Sequence, residues 1–252
     1  MIVQTEQMCL GYRGVPVVEG VSFSLQAGQV CVVLGHNGAG KSTFVKTLLG
    51  LQSPLNGRFK WRNEIPAHMS YLGQRLEFDG QFPIRVKDLV TMGAWHGLGL
   101  LSRIDDEKSE LVATALAKTK LTDMADRPIY ECSAGQLQRC FFARAMVQNA
   151  PVLLLDEPFT AMDQATEALL VDLILSWRDE GRAIVMVLHD LTTARGLADT
   201  VLLLGEGRAC FGPSADVLTA ENLQAHGYLS ELQAKWLSSS EQAFANQGQN
   251  DV

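Results

Sequence analysis

The sequence predicts an α/β fold: a mainly parallel sheet flanked by helices, an antiparallel β-subdomain at the N-terminal end, and an inserted α-helical subdomain. Three observations predict it. The apolar run Val30-Cys31-Val32-Val33-Leu34 leads into a glycine-rich loop and then into the helical stretch Phe44-Val45-Lys46-Thr47-Leu48-Leu49. Two further continuous apolar runs, Val152 to Leu155 and Ala183 to Leu188, end in polar residues, as central strands covered on both faces do. Between Ile84 and Gln148 apolar residues recur at helical spacing.

The loop, Gly35-His36-Asn37-Gly38-Ala39-Gly40-Lys41-Ser42-Thr43, fits G-x-x-x-x-G-K-[ST], with Gly35, Gly40, Lys41 and Ser42 in the fixed places. Gly38 and Gly40 let the backbone curl so that successive N–H groups converge on an anion, and the helix N-terminus adds its partial positive charge. Lys41 then reaches the β- and γ-phosphates, and the Ser42 hydroxyl holds Mg²⁺. A glycine-rich turn that merely carries a lysine lacks the strand before it and the helix after it. The core is therefore expected to be of the P-loop nucleoside-triphosphatase kind.

In chain order, Ile2-Val3-Gln4, Met8-Cys9-Leu10 and Val21-Ser22-Phe23-Ser24-Leu25 read as short antiparallel strands with one wet face, closed by the Ala27-Gly28 turn. Tyr12 falls on a loop between them. An aromatic there either stacks on a nucleotide base or covers a sheet edge, and residue type alone favours covering. Gly50 to Pro54 ends the first helix, and Gly57 to Trp61 and Ser70 to Gln74 look like strands. In the helical stretch, Val86, Leu89 and Val90 form one stripe; Leu111, Val112, Ala115 and Leu116 form another behind the acidic first turn Asp105-Asp106-Glu107. Ser133 is the expected N-cap of a helix running to Val147. Ala165 to Glu180 is amphipathic, and Thr200 to Leu204 and Arg208 to Phe211 form a hairpin across Gly205-Glu206-Gly207.

Composition sets the remaining bounds. At 252 residues and 47% hydrophobic the chain is long enough for one large α/β domain or two lobes sharing a core. No stretch approaches the ~18 apolar residues that a membrane span needs, and Met1 to Glu6 has no signal-peptide pattern, so a cytosolic chain is expected unless a partner holds it at a membrane. The net charge of −7 argues against a nucleic-acid partner. Cys9, Cys31, Cys132, Cys140 and Cys210 are odd in number without a C-x-x-C pair, which reads as reduced, mostly buried thiols.

Phosphoryl transfer to water needs a phosphate cradle, a metal backed by a carboxylate, and a group that activates the water. Asp156, at the end of its apolar run, suits the Ser42-bound Mg²⁺, and Glu157 suits the general base. The Gln74 amide can reach a metal or water, and His189 can donate a hydrogen bond to a γ-phosphate. Taken singly, such a glutamine is more often a solvated side chain and such a histidine a satisfied structural one.

Taken in order, Tyr12, Gly35 to Ser42, Gln74, Ser133 to Gln136, Asp156-Glu157, Asp163 and His189 closely resemble the ATPase subunit of ATP-binding cassette (ABC) transporters. The resemblance implies a nucleotide-binding domain over 1–228, with roughly 76–150 as its helical subdomain, and a partly disordered tail over 229–252. It implies that Tyr12 stacks on adenine, that Gln74 touches Mg²⁺ and senses a membrane partner, that Asp163 crosses a dimer interface, and that His189 contacts the γ-phosphate. Ser133, Gly135 and Gln136 belong to the family's signature, usually Leu-Ser-Gly-Gly-Gln. Cys132 and Ala134 depart from that pattern, as His36 departs from the proline common in the phosphate loop. The signature of one copy is expected to close over ATP held by a second copy, two ATP molecules lying head to tail in the dimer.

Finer likeness points to ATPases of bacterial zinc and manganese importers: Phe78 to Ile84 with Val86 and Asp88 to Gly93, Leu98 to Arg103, Asp156 to Phe159, Phe211-Gly212-Pro213 and Val217-Leu218-Thr219. The implied partners are integral membrane permease subunits and, indirectly, an extracytoplasmic solute-binding protein; the implied location is the cytoplasmic face of the cell membrane. Alternatives are the ATPase of an iron-complex or other small-solute importer, a soluble ABC ATPase, and a nucleotide-binding regulator with weak turnover, the last motivated by Cys132 and Ala134. Soluble ABC ATPases usually carry long coiled coils or two cassettes, whereas this chain has one cassette and no heptad run.

Overall fold

In the computed structural model of the chain, residues 1–62, 69–73, 83–95, 105–160 and 162–237 are described. They fall into two units, one drawn from Met1–Pro66 and Val185–Val252, the other from Ala67–Ile184. The elements run β1 (Val3–Tyr12), β2 (Val15–Leu25), β3 (Val30–Leu34), α1 (Lys41–Leu48), β4 (Asn56–Trp61), β5 (Met69–Leu72), α2 (Val86–Thr91), α3 (Asp106–Lys118) and α4 (Ala134–Gln148). They continue with β6 (Val152–Asp156), α5 (Gln164–Asp179), β7 (Ala183–Val187), α6 (Leu191–Leu197), β8 (Thr200–Gly205), β9 (Arg208–Pro213), α7 (Ser214–Val217) and α8 (Ala220–Ala225).

In the first unit β1 pairs antiparallel with β2 on one side and β4 on the other, giving the order β2-β1-β4. β1 is one strand where the alternation suggested two short runs. Its register shifts between Thr5 and Met8, where Gln7 takes a φ of 46°, so the polar pair Glu6-Gln7 bulges without ending the strand. Tyr12 is the last residue of this strand and not part of a loop, because the two-residue turn Arg13-Gly14, at φ 50° and 81°, leads straight into β2.

The unit's second set of strands starts from β3, whose five residues are all buried. β8 pairs with it in parallel from Cys31↔Thr200 to Leu34↔Leu203, and β9 pairs antiparallel with β8. Phe23 joins the two sets, meeting Phe44 of α1 edge-on at 5.3 Å and Phe211 of β9 at 5.4 Å. Residues 231–237 are helical. The sequence reading of Ser238 to Val252 lies outside the described residues.

In the second unit β5 and β6 pair in parallel, Met69↔Val152 to Leu72↔Leu155. The helical stretch read between Ile84 and Gln148 holds α2, α3 and α4 among its described residues. Asp105 caps α3 by accepting from the Lys108 N–H at 2.9 Å, so the acidic first turn is also a cap. Phe142 of α4 stacks on Trp177 of α5 with centroids 5.5 Å apart, both rings buried. All five cysteines are free thiols, and burial pushes those of Cys31 and Cys140 up to about 12. The segments 78–82 and 98–103, read for the importer likeness, and Gln74 lie outside the described residues.

Candidate nucleotide-binding site

In the first unit the phosphate loop follows β3 and runs into α1. Gly35, Gly38 and Gly40 have φ of 156°, 87° and 96°. A Cβ on Gly35 would stand 2.3 Å from the Leu204 carbonyl oxygen, so the loop's base fits only glycine. The Ala39 N–H donates to the His36 carbonyl at 3.1 Å and that of Phe44 to Gly40 at 2.9 Å, closing the curl. Gly40 is the N-cap of α1 and supplies no side-chain acceptor, which leaves the first amides of the helix available to an anion. Lys41 is 8% exposed, and its ammonium donates to the carbonyls of Gly35 at 2.7 Å and His36 at 3.1 Å, holding the charge within the curl. Asn37, Gly38 and Ser42 are exposed along the rim, whereas Ala39 and Gly40 are buried.

His36, half-buried, fixes its own ring: Nδ1 lies 2.8 Å from the Asn37 carbonyl and donates to it, and Nε2 faces the Glu206 carboxylate at 3.9 Å. Tyr12 reaches the same neighbourhood from the end of β1. Its hydroxyl accepts from Thr43 Oγ1 at 3.1 Å, Lys46 Nζ lies 5.8 Å from its ring centroid, and the residue is 43% exposed. Thr43 thereby ties the aromatic to the first turn of α1. His189 follows the buried strand β7 and is exposed; its carbonyl accepts from the Tyr228 hydroxyl at 2.5 Å. The neighbouring Asp190 caps α6 through the Thr193 N–H. Burial alone would raise the Asp190 carboxyl, but hydrogen bonds from Thr193 and Thr192 outweigh it and hold the group below the usual carboxylate range.

In the second unit Asp156 ends β6 half-buried, and the Tyr71 hydroxyl donates to it. Burial, then the Asp156 charge and this hydrogen bond, raise the Tyr71 phenol above its ordinary value. Glu157 takes a φ of 52°, and its carbonyl accepts from the Thr160 hydroxyl at 3.2 Å, which turns the chain sharply after the strand. Ser133 forms the capping box of α4: its Oγ accepts from the Gln136 N–H at 3.2 Å, and the Gln136 side chain accepts from the Ser133 N–H at 2.8 Å. Ala134 is the first residue of the helix and is exposed, so its methyl costs the backbone nothing. Asp163 caps α5, accepting from the Thr166 N–H and hydroxyl, both at 2.9 Å, and these bonds lower its carboxyl.

Among the described residues no group of three or more His, Cys, Asp and Glu could hold a metal ion. The Ser42 hydroxyl, exposed on the rim of the loop, is an oxygen donor of the kind that a hard cation such as Mg²⁺ takes beside water and phosphate oxygens. Thr43, Tyr71, Tyr228 and Thr166 are contributors that the sequence either passed over or gave no partner. Their signal is a hydroxyl bonded to a site residue, and for Tyr12, Asp156 and His189 that partner is remote in the chain.

The strand, glycine-rich cradle and helix, together with a second apolar strand that ends in adjacent carboxylates, define a P-loop nucleotide-binding protein. Residues 18–160 match the ABC transporter family. The manganese transport system ATP-binding protein MntB of Bacillus subtilis is 37% identical over 226 residues, covering 88% of this chain and 90% of that protein. The chain therefore belongs to the ABC transporter ATP-binding family. MntB of Listeria innocua is 36% identical over 225 residues, covering 86% of this chain and 92% of that one. Among solved structures, an inward-facing conformation of a metal-chelate type ABC transporter matches with a TM-score of 0.80 at 27% identity, over 90% of this chain and 89% of that one.

Proposed function

We propose that this chain is the ATP-binding and ATP-hydrolysing subunit that energises import of a divalent metal cation, manganese before zinc, through a separate membrane permease. The observation that carries the ATPase half is the cradle itself: a loop that only glycine can line at Gly35, filled by the Lys41 ammonium and open to the uncapped amides of α1. Similarity to the manganese system proteins supports the metal-import half. The iron-complex importer stands second, since a chelated iron transport system protein of Yersinia pestis is 35% identical over 84% of this chain, against 36–37% for the manganese system proteins; the soluble ABC ATPase and the weak regulator have no such likeness behind them.

The residues divide the chemistry. Backbone amides from Asn37 to Thr43 and the Lys41 ammonium bind the β- and γ-phosphates, and Tyr12 stacks on the base with its ring held by Thr43. Magnesium, taken by the Ser42 hydroxyl and supported by Asp156 and Gln74, would neutralise charge on the phosphate oxygens. Glu157 accepts the proton of the attacking water, and His189 donates to the γ-phosphate. Ser133, Gly135, Gln136 and Asp163 complete the site of a second copy, head to tail. Residues 1–228 form the nucleotide-binding domain, with roughly 76–150 as its helical subdomain, and the remainder is a tail.

No helix of the described residues is long and apolar enough to cross a membrane, and we place the chain on the cytoplasmic face of the membrane through its permease. The deciding experiment compares uptake of manganese, zinc and iron in cells lacking the gene, complemented by the wild type or by Glu157→Gln. Loss of manganese uptake that only the wild type restores supports the proposal. Unchanged uptake of all three metals refutes metal import, and restoration by the glutamine variant refutes the ATPase role.

A further inference from the structure

Tyr228 is far from the phosphate loop in sequence, and no nucleotide motif includes it. Its position is nevertheless fixed by a run of interlocking contacts. α8 ends in a turn with Gly227 at φ 65°, where the Gly227 N–H donates to the Gln224 carbonyl at 3.0 Å and the Tyr228 N–H to the Leu223 carbonyl at 2.8 Å. This is the paired-bond helix ending that positions the residue after the glycine. A Cβ on Gly227 would stand 2.6 Å from Glu206 Oε1, so the β8–β9 hairpin walls the turn. The same end of β8 braces both sides of the site. Leu204 sets its carbonyl against Gly35 of the phosphate loop, and Gly205 packs under the His226 carbonyl so closely that no Cβ fits.

From this platform the Tyr228 hydroxyl crosses 39 residues of sequence to the His189 carbonyl. The chain on either side of His189 is also anchored: the Leu188 N–H donates to the Val33 carbonyl at 3.1 Å, and Asp190 is bound to the Thr193 amide. The Tyr228 bond adds an anchor on His189 itself, the residue that carries the imidazole. Burial and the nearby Asp190 charge keep the phenol protonated and able to donate.

We infer that Tyr228 is a positioning residue for ATP hydrolysis: its hydroxyl holds the backbone of His189 against the β8 platform that also braces the phosphate loop. The inference rests on the proposed role of His189 at the γ-phosphate. It predicts that Tyr228 affects turnover through His189 and leaves nucleotide affinity alone.

The test is a double-mutant cycle on the full-length chain purified with its permease, reading steady-state ATP hydrolysis and nucleotide affinity for wild type, Tyr228→Phe, His189→Ala and the double variant. Tyr228→Phe keeps the ring, so its melting temperature should stay within a few degrees of wild type. Its kcat is expected to fall about tenfold with affinity unchanged, and it should have no further effect once His189 is alanine. A wild-type kcat for Tyr228→Phe, or an equal loss in both backgrounds, overturns the inference while leaving the role of His189 intact. A wild-type kcat for His189→Ala overturns that role, and the inference with it.

Discussion

The proposed function gives Ser133 two partners for different atoms, and that allows its roles to be separated. Its Oγ lone pair accepts from the Gln136 N–H at 3.2 Å, while in the proposed head-to-tail dimer its hydroxyl proton is left for a phosphate presented by the opposing copy. Ser133→Ala removes both, Ser133→Thr keeps both, and Ser133→Asp keeps a good cap but replaces the donor with a negative charge. An N-cap is worth about 1 kcal/mol, so the alanine variant should lose about 2–4 °C of melting temperature in a chain of this size, and the aspartate variant close to none. Opposing a phosphate across ~4 Å at an effective dielectric of ~20, the new carboxylate costs roughly 4 kcal/mol, or about a thousandfold in turnover. Calorimetry and a phosphate-release assay read the two axes. The dissociation is the point: alanine loses some of each, aspartate loses only activity. If the aspartate variant melts as early as alanine, the capping role is wrong, and if it hydrolyses ATP at the wild-type rate, the hydroxyl does not face a phosphate.

Lys41→Ala should weaken ATP binding by about ten- to a hundredfold, the worth of a charge-assisted hydrogen bond, measured by titration calorimetry; unchanged affinity would show that the loop does not hold the phosphates. Glu157→Gln should bind ATP as tightly as wild type yet accumulate as an ATP-loaded dimer, visible by gel filtration with ATP; a monomer that still turns ATP over would sink the general-base assignment. Cys31 and Cys140, held at about 12 against an ordinary 9.0, should resist alkylation at pH 8 until the chain is unfolded, as intact-mass analysis would record. Because the folded values lie above the unfolded one, the stability these thiols contribute is complete below about pH 9 and is lost as pH rises toward 12, so the melting temperature should fall over that window.

The features legible in sequence were those whose cause is local. The fixed spacing from Gly35 to Ser42 and the apolar strand before it gave the cradle, and Ser133 ahead of its helix gave the N-cap, though the reciprocal Gln136 bond was not read. β1 was harder because its bulge at Gln7 breaks the two-residue period that marks a strand, and that break placed Tyr12 on a loop when it ends the strand. The bonds from Tyr71 to Asp156 and from Tyr228 to His189 had no sequence signal. Each pairs a phenol with a group that only tertiary folding brings near, and a tyrosine with a hydroxyl to satisfy looks the same in a list whatever it touches. The role proposed for Gln74 rests on its place among the motifs.

The turn after β6 carries one more consequence. Glu157 sits at a φ of 52°, a conformation that glycine or asparagine adopts readily and that costs a glutamate about 1–2 kcal/mol. Against a total stability of the order of 5–15 kcal/mol, that is a measurable fraction set aside at one position. Selection for robustness alone would drive the residue toward glycine, and a laboratory screen for thermostable variants should recover that change while discarding transport. On the proposed general-base role of Glu157, its strained backbone marks a place where activity is kept at some cost in stability, and the rest of the fold, from the buried β3 to the Phe142–Trp177 stack, is what lets it remain so.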